Sequence, residues 1–399
     1  MRNLGKLAVL GITALGLALA GPQDNSLVIG ASQEPRVLAG DFLSVISNQA
    51  IKSEIEQYLF APFIGFNADS QNFPVLATEV PTLENGRLRV TDIGGGKKRL
   101  EMDITIRPDA KWSDGRPITT EDVAFYFEVG KAKGMPVLNP DFWERVNVRI
   151  KDARNFTLIF EPAYYYDTYG PINTYAPKHI MGPEWERVKA AARGLDPQKD
   201  AEKLNELYRN FFIKFSTPQA LNRGAMVYSG PFMLRRWVPG NSIEMVRNPN
   251  FPIKPEGGES KYVQKVVYRF IQNTNSLLVA VIGGSIDATS SVSLTFDQGR
   301  SPQLVRRAPG RFDIWFVPGA IWEHIDINKF ENCQVVKDLG LNDKRTRQAI
   351  LHALNRDGLV KAFFDGLQPV AHTWIAPVNP LWACLAKVRR TGVYLSPDG

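Results

Sequence analysis

Cysteine is nearly absent: Cys333 and Cys384 are the two in 399 residues. They allow one disulfide at most. Pairing and two separate thiols both stay open, because spacing in sequence carries no bridge geometry. Histidine is scarce as well. His179, His324, His352 and His372 never fall three or four residues apart, and no H-E-x-x-H occurs, so no zinc-ligand pattern is present. There is no G-x-S-x-G nucleophile elbow and no phosphate loop. Gly94-Gly95-Gly96-Lys97 lacks the second half of that motif and reads as a hairpin turn. No apolar run reaches the ~20 residues a membrane-crossing helix requires. Charge is not gathered either: 48 basic against 41 acidic residues give +7, but the basic ones come in short pieces such as Lys97-Lys98-Arg99 and Arg306-Arg307. A nucleic-acid track needs them on one face. The expectation is therefore no cofactor, no metal and no nucleic acid.

What is present begins at the N-terminus. Arg2 and Lys6 precede the uncharged run LAVLGITALGLALA, which closes on Ala18-Leu19-Ala20 before Gly21. A basic start, a short apolar stretch and a small-residue end describe a secretory signal over residues 1–20, and an exported, soluble mature chain. The remaining length suits two or three domains of ordinary globular composition, with 44% hydrophobic and 22% charged residues.

Patterning along the chain is mixed. SLVIGASQEP (26–35) reads as an apolar strand running into a loop, and residues 51–59 have helical spacing before Pro62. RLEMDITIRP (99–108) alternates, with Leu100, Met102, Ile104 and Ile106 on one face. VNVRIKDARNFTLIFE (146–161) reads as a hairpin turning at residues 152–155. Residues 183–215 are helical. Strands return at 230–238, 242–249 and 262–271. SLLVAVIGGSIDA (276–288) is a helix ended by Gly283-Gly284 and followed by a strand, and 343–364 is an amphipathic helix pair. There are no repeats.

PDAKWSDGRPITTEDVAFYFE (108–128) gathers Ser113, Asp114, Glu121 and Asp122 around Trp112. Either this is an acid/base site beside an aromatic platform, or a turn that starts a helix. Ser113-Asp114-Gly115-Arg116-Pro117 has turn chemistry. Thr119 is a natural N-cap, Glu121 and Asp122 suit the first helical turn, and Ile118 and Val123 have staple spacing. The residues read as an exposed cap, which has no means of shifting one acid's pKa far from the other. No catalytic residue is expected.

The same stretch, KWSDGRPITTEDVAFYFE, resembles the signature of the family 5 extracellular solute-binding proteins of ABC importers, which handle oligopeptides, dipeptides and nickel. Four further collinear segments are similar to that family: EIEQYLFAPFIGFNADSQNFPVLATE (54–79), YSGPFMLRRWVPGNSIEMVRNPNF (228–251), YRFIQNTNSLLVAVIGGSIDA (268–288) and RTRQAILHALNRDGLV (345–360). The resemblance implies an α/β, two-lobed fold of the periplasmic-binding-protein type. Lobe I would occupy 21–272 with an extra subdomain inserted near 60–170, and lobe II would begin at 273. It implies no enzyme activity but a monomeric receptor in the periplasm or cell envelope. That receptor would close on a peptide by hinge motion and hand it to ABC permease subunits.

The resemblance fades after HTWIAPVNPLW (372–382), and from about 383 the tail is atypical. An incomplete lobe II leads to the expectation that apolar faces stay uncovered and that peptide binding is impaired in this chain. Carried over residue by residue, the resemblance implies ligand contacts at Glu34, at the Tyr228-Ser229-Gly230 backbone, at Trp322 with His324 and Asn328, and at Trp374. Bland readings stand beside them: a solvated loop acid, a β-turn and core tryptophans. Two other functions remain open at this level, an exported hydrolase of glycans or peptides and a receptor without transport activity. A buried acid pair in a cleft would favour the hydrolase.

Overall fold

The computed structural model describes residues 25–67, 71–164, 176–254, 257, 262–316 and 324–370. The signal segment, Trp322, Trp374, Cys384 and the atypical tail lie outside these residues. Cys333 carries a free thiol.

In chain order the elements are β1 Ser26–Ala31, α1 Ala50–Leu59, β2 Ile64–Phe66, β3 Asn72–Pro74, β4 Leu88–Gly94, β5 Lys97–Thr105, α2 Thr120–Gly130, α3 Pro140–Arg145, β6 Val146–Ile150 and β7 Asn155–Phe160. Then come α4 Lys178–Ala192, α5 Ala201–Ser216, α6 Pro218–Leu221, β8 Phe232–Val238, β9 Ser242–Arg247, β10 Lys265–Phe270, α7 Thr274–Gly283 and β11 Ala288–Thr289. Five helices follow: α8 Phe296–Gly299, α9 Pro302–Val305, α10 Gln334–Asp338, α11 Lys344–Ala353 and α12 Arg356–Phe364. The chain divides into two compact units, Met1–Thr295 and Phe296–Gly399.

The first unit is organised around a five-stranded sheet of order β11-β1-β10-β9-β8. β1 pairs in parallel with both β10 and β11, whereas β9 is antiparallel to both of its neighbours. Nearly every residue of β1 is buried, the signature of a strand covered on both faces. Alternation divides the coverage. Ile29 and Ala31 join a core cluster with Ile51, Ile55 and Leu59 of α1, while Val28 packs with Leu277 of α7 and Ile286. Gly30 marks how closely the α7–β11 turn approaches: a Cβ there would lie 2.5 Å from Ile286 Cδ1. These contacts place α7 and β11 in the first unit. The lobe boundary expected at 273 and the division after Thr295 therefore differ by this one helix and strand.

A second, four-stranded antiparallel sheet of order β4-β5-β7-β6 falls within the stretch expected as an inserted subdomain. Leu100, Met102, Ile104 and Ile106 turn their common face into the core as the alternation predicts. The opposite face carries an ion-pair lattice. Asp103 receives Arg89 (2.7 Å) and Lys151 (2.7 Å), and Glu101 receives Arg149 (2.6 Å) and Arg89 (3.3 Å).

In the second unit, Leu304 and Val336 are buried among the described residues, and α11 and α12 bury none. Phe296 meets Phe316 and Phe364 with ring centroids 5.1 and 5.4 Å apart.

Candidate functional site

The turn at 112–122 is a structural joint, and one part of the sequence reading is corrected. Trp112 is fully buried, so it offers no platform. Asp122 is also buried, not exposed at the cap as expected. Its carboxylate accepts from Thr119 N (3.1 Å), closing a capping box, and from Trp112 Nε1 (3.2 Å) and Lys178 N (2.9 Å) at the start of α4. One acid thus caps its own helix, receives an indole and meets the first residue of a second helix. Burial raises its pKa, and these three donors oppose the rise. Sequence spacing showed the cap but not α4 arriving 56 residues later.

A buried acid pair does exist elsewhere. Asp41 and Glu56 flank Lys52 Nζ at 3.7 and 3.6 Å, and all three side chains are almost wholly inaccessible. Glu56 also accepts from Ala39 N (2.9 Å), Asp41 from Ile46 N and Ser47 N, and Lys52 donates to Asp41 O (2.8 Å) and Ser44 Oγ (3.2 Å). Burial pushes Glu56 up to about 7 against the pull of Lys52, and Asp41 is raised for the same reason. The group folds residues 39–47 around an ammonium. Its side chains are shut away from solvent, so it supplies no argument for hydrolysis.

Ligands of open α/β sheets bind beyond the carboxyl ends of parallel strands, where connections diverge to opposite faces. Here those ends belong to β1, β10 and β11, with α1 and α7 on opposite faces of β1. Residues 32–34 and 290–293 meet there. Ser32 N and Oγ both donate to Val292 O (3.2 and 2.7 Å), and Ser290 N donates to Gly30 O (2.8 Å). From α1, Glu54 reaches the same edge. Its Oε2 accepts from Ser290 Oγ (2.9 Å), Ser291 N (3.1 Å) and Ser291 Oγ (2.5 Å), and its Oε1 accepts from Tyr268 OH (2.8 Å). Gln33 stands exposed at this edge and makes no hydrogen bond among the described residues.

Glu34 is next to this edge but already employed. Its two oxygens accept from Trp237 Nε1 and Gly240 N, each at 2.8 Å, fastening the loop after β1 to the β8–β9 hairpin. It is therefore not a plain solvated acid.

Tyr228, Ser229 and Gly230 lie in the interior. Gly230 N donates to Leu59 O (2.8 Å), Asn248 Nδ2 donates to Gly230 O (2.9 Å), and Ser229 Oγ accepts from Ala61 N (3.2 Å). A Cβ on Gly230 would sit 2.6 Å from Leu59 C and Phe60 N, so the close approach it permits is to the end of α1. Tyr228 O accepts from Ser113 N, Tyr228 N donates to Ser113 Oγ, and the ring packs on Phe60. Burial pushes its hydroxyl pKa up. In the second unit His324 lies 3.4 Å from Asp326, and Asn328 Oδ1 caps a local turn at Phe330 N (2.9 Å). His324 and Asn328 are both exposed.

The structure brings Glu34 near the carboxyl edge, does not bring 228–230 there, and describes His324 and Asn328 separately in the other unit. Gln33 belongs to the loop Gln33-Glu34-Pro35 that the resemblance places first at the cleft, whereas Ser32, Glu54, Ser290 and Ser291 were not among the contacts inferred from sequence. The small polar run ATSSVS, which begins with the two residues of β11, was the available signal.

Residues 97–389 match the family described as bacterial extracellular solute-binding proteins, family 5 middle. The chain belongs to that family. It is 91% identical to an oligopeptide binding protein from Thermus thermophilus whose crystal structure is complexed with a pentapeptide. That match has a TM-score of 0.84 and covers 95% of this chain and 65% of the other. It is 23% identical over 378 residues to the oligopeptide-binding protein AppA of Bacillus subtilis, covering 90% of this chain and 54% of AppA. The structure of that AppA in complex with a nonapeptide is similar in fold, with TM-score 0.56 at 20% identity over 89% of this chain and 58% of AppA. The α/β fold of the family stands as expected. The chain spans about half the length of this curated relative. Among the described residues no helix is long and apolar enough to cross a membrane.

Proposed function

We infer that this chain is the peptide-capturing component of an ABC importer, exported to the periplasm or cell envelope, monomeric, and handing its cargo to membrane permease subunits. The observation that carries this is its 91% identity to a Thermus protein crystallised with a pentapeptide. The geometry of the first unit agrees with that reading. A free backbone at Gln33, continuing from a parallel strand, suits an extended peptide that pairs by main-chain hydrogen bonds and tolerates varied side chains. Glu34, Trp322, His324, Asn328 and Trp374 remain candidate contacts within this proposal. Tyr228, Ser229 and Gly230 are assigned the task of holding α1 beneath that edge.

The test is thermal unfolding of the exported chain with penta-alanine and with a random pentapeptide pool, followed by mass spectrometry of the recovered peptides. Ligand at about 100 times its Kd should add ~2.7 kcal/mol to stability, and the peptides should return intact. No shift with either probe at millimolar concentration refutes peptide capture. Cleaved peptides would instead reinstate the hydrolase.

A further inference from the structure

We propose that Glu54 is a positioning residue for the peptide-facing edge, holding the chain after β11 in the conformation that the edge requires. The proposal rests on the reading of that edge as a peptide site, but its structural half can be tested without ligand. Three observations lead to it.

Glu54 gathers four donors on one half-buried carboxylate, three of them from the consecutive residues Ser290 and Ser291. Three donors from two consecutive residues on one carboxylate make a concentrated local restraint on the segment. Next, the restrained segment sits against the loop after β1 that carries Gln33. Val292 O receives both donors of Ser32, the residue before Gln33, so a shift at 290–292 moves the start of the free edge. Finally, the segment's other ties to the first unit are the Ser290 N bond to Gly30 O, the Ser32 donors on Val292 O and the packing of Val292 and Leu294 on the core clusters. β11 is two residues long, and beyond Val292 the chain leaves the first unit at Thr295. Local turns at Val292 N to Ser290 Oγ, and at Ser293 Oγ to Ser290 O, shape the segment but tie it only to itself.

The roles of the four donors make a conservative substitution informative. In Glu54→Gln the amide oxygen can still face the serines, while its NH2 faces Tyr268 OH, a hydroxyl able to turn and accept. In Glu54→Ala no acceptor remains. Hydrogen–deuterium exchange of the full chain, read on peptides spanning 288–295 and 30–34, should show protection reduced by on the order of tenfold or more in Glu54→Ala and largely restored in Glu54→Gln. The β10, β9 and α1 peptides should stay as protected as in the parent. Unchanged protection at 288–295 in Glu54→Ala overturns the proposal. Loss spread across β1, β10 and α1 overturns it too, since Glu54 would then support the whole unit.

Binding of the pentapeptide pool supplies the second readout. It should weaken roughly tenfold or more in Glu54→Ala and by less than about threefold in Glu54→Gln. Equal affinity of all three chains refutes the positioning role. A parent chain that binds no peptide refutes the proposed function instead, and exchange alone then decides what Glu54 does.

Discussion

Replacing Glu56 by Gln should change stability by an amount that moves in favour of Gln as pH rises. In the buried group one ammonium serves two carboxylates, so above neutral pH a net negative charge is enclosed where water cannot reach it. Burial, the largest influence, lifts Glu56 from its ordinary 4.5 to about 7, with Lys52 lowering it and Asp41 raising it. The sign follows from proton binding. The folded pKa lies above the unfolded one, so the folded state holds the extra proton between them. Its stabilising contribution is complete below pH 4.5 and is lost as pH rises through 7. A shift of that size corresponds to ~3 kcal/mol at most, and partial relaxation of a coupled pair leaves about 1 to 3 kcal/mol. Gln keeps an oxygen for Ala39 N and never ionises. Urea unfolding of parent and Glu56→Gln, followed by tryptophan fluorescence from about pH 5 to about pH 8, should give a difference that favours Gln by about 1 to 3 kcal/mol more at the alkaline end than at the acid end. Acids outside the Asp41–Lys52–Glu56 group titrate alike in both chains and cancel in that difference. A flat difference, or one favouring Glu at the alkaline end, refutes the account of this group.

Three other outcomes follow from the same reasoning. Asp122→Ala strands Trp112 Nε1, Thr119 N and Lys178 N and should cost about 3 to 5 kcal/mol by urea unfolding, with Asn recovering part of it. Gly230→Ala drives a methyl into the backbone of Leu59 and Phe60 and should destabilise by about 1 to 3 kcal/mol or more, visible as a lowered Tm. At Asp103, burial raises the pKa but is outweighed by Arg89, Lys151 and Thr157, which hold it well below the ordinary carboxylate range. Its contribution is present above pH ~4 and lost below, so Asp103→Asn should flatten the acid limb of a Tm-against-pH curve and lower Tm at neutral pH. An unaltered acid limb would count against the ion-pair lattice as a source of stability.

The sequence alone determined whatever depends on near neighbours along the chain. Alternation at Leu100 to Ile106, the cap at Thr119, the helix stop at Gly283-Gly284 and the hairpin glycines at 94–96 all formed as read. Helix and strand periods and turn chemistry are local properties. The family was legible too, because its motif sits in one such local unit, the turn and helix at 111–128. The tertiary structure decided which polar groups share a site. Asp122 looked like an exposed cap acid until α4 met it, and Gly230 lies against the end of α1. Glu54 is separated by 214 residues from Tyr268 and by 236 from Ser290, and no period or spacing in sequence encodes that meeting. Burial and partnership arise when distant segments pack. Those two properties set which acid is neutral, which glycine is obligatory and which serine is held.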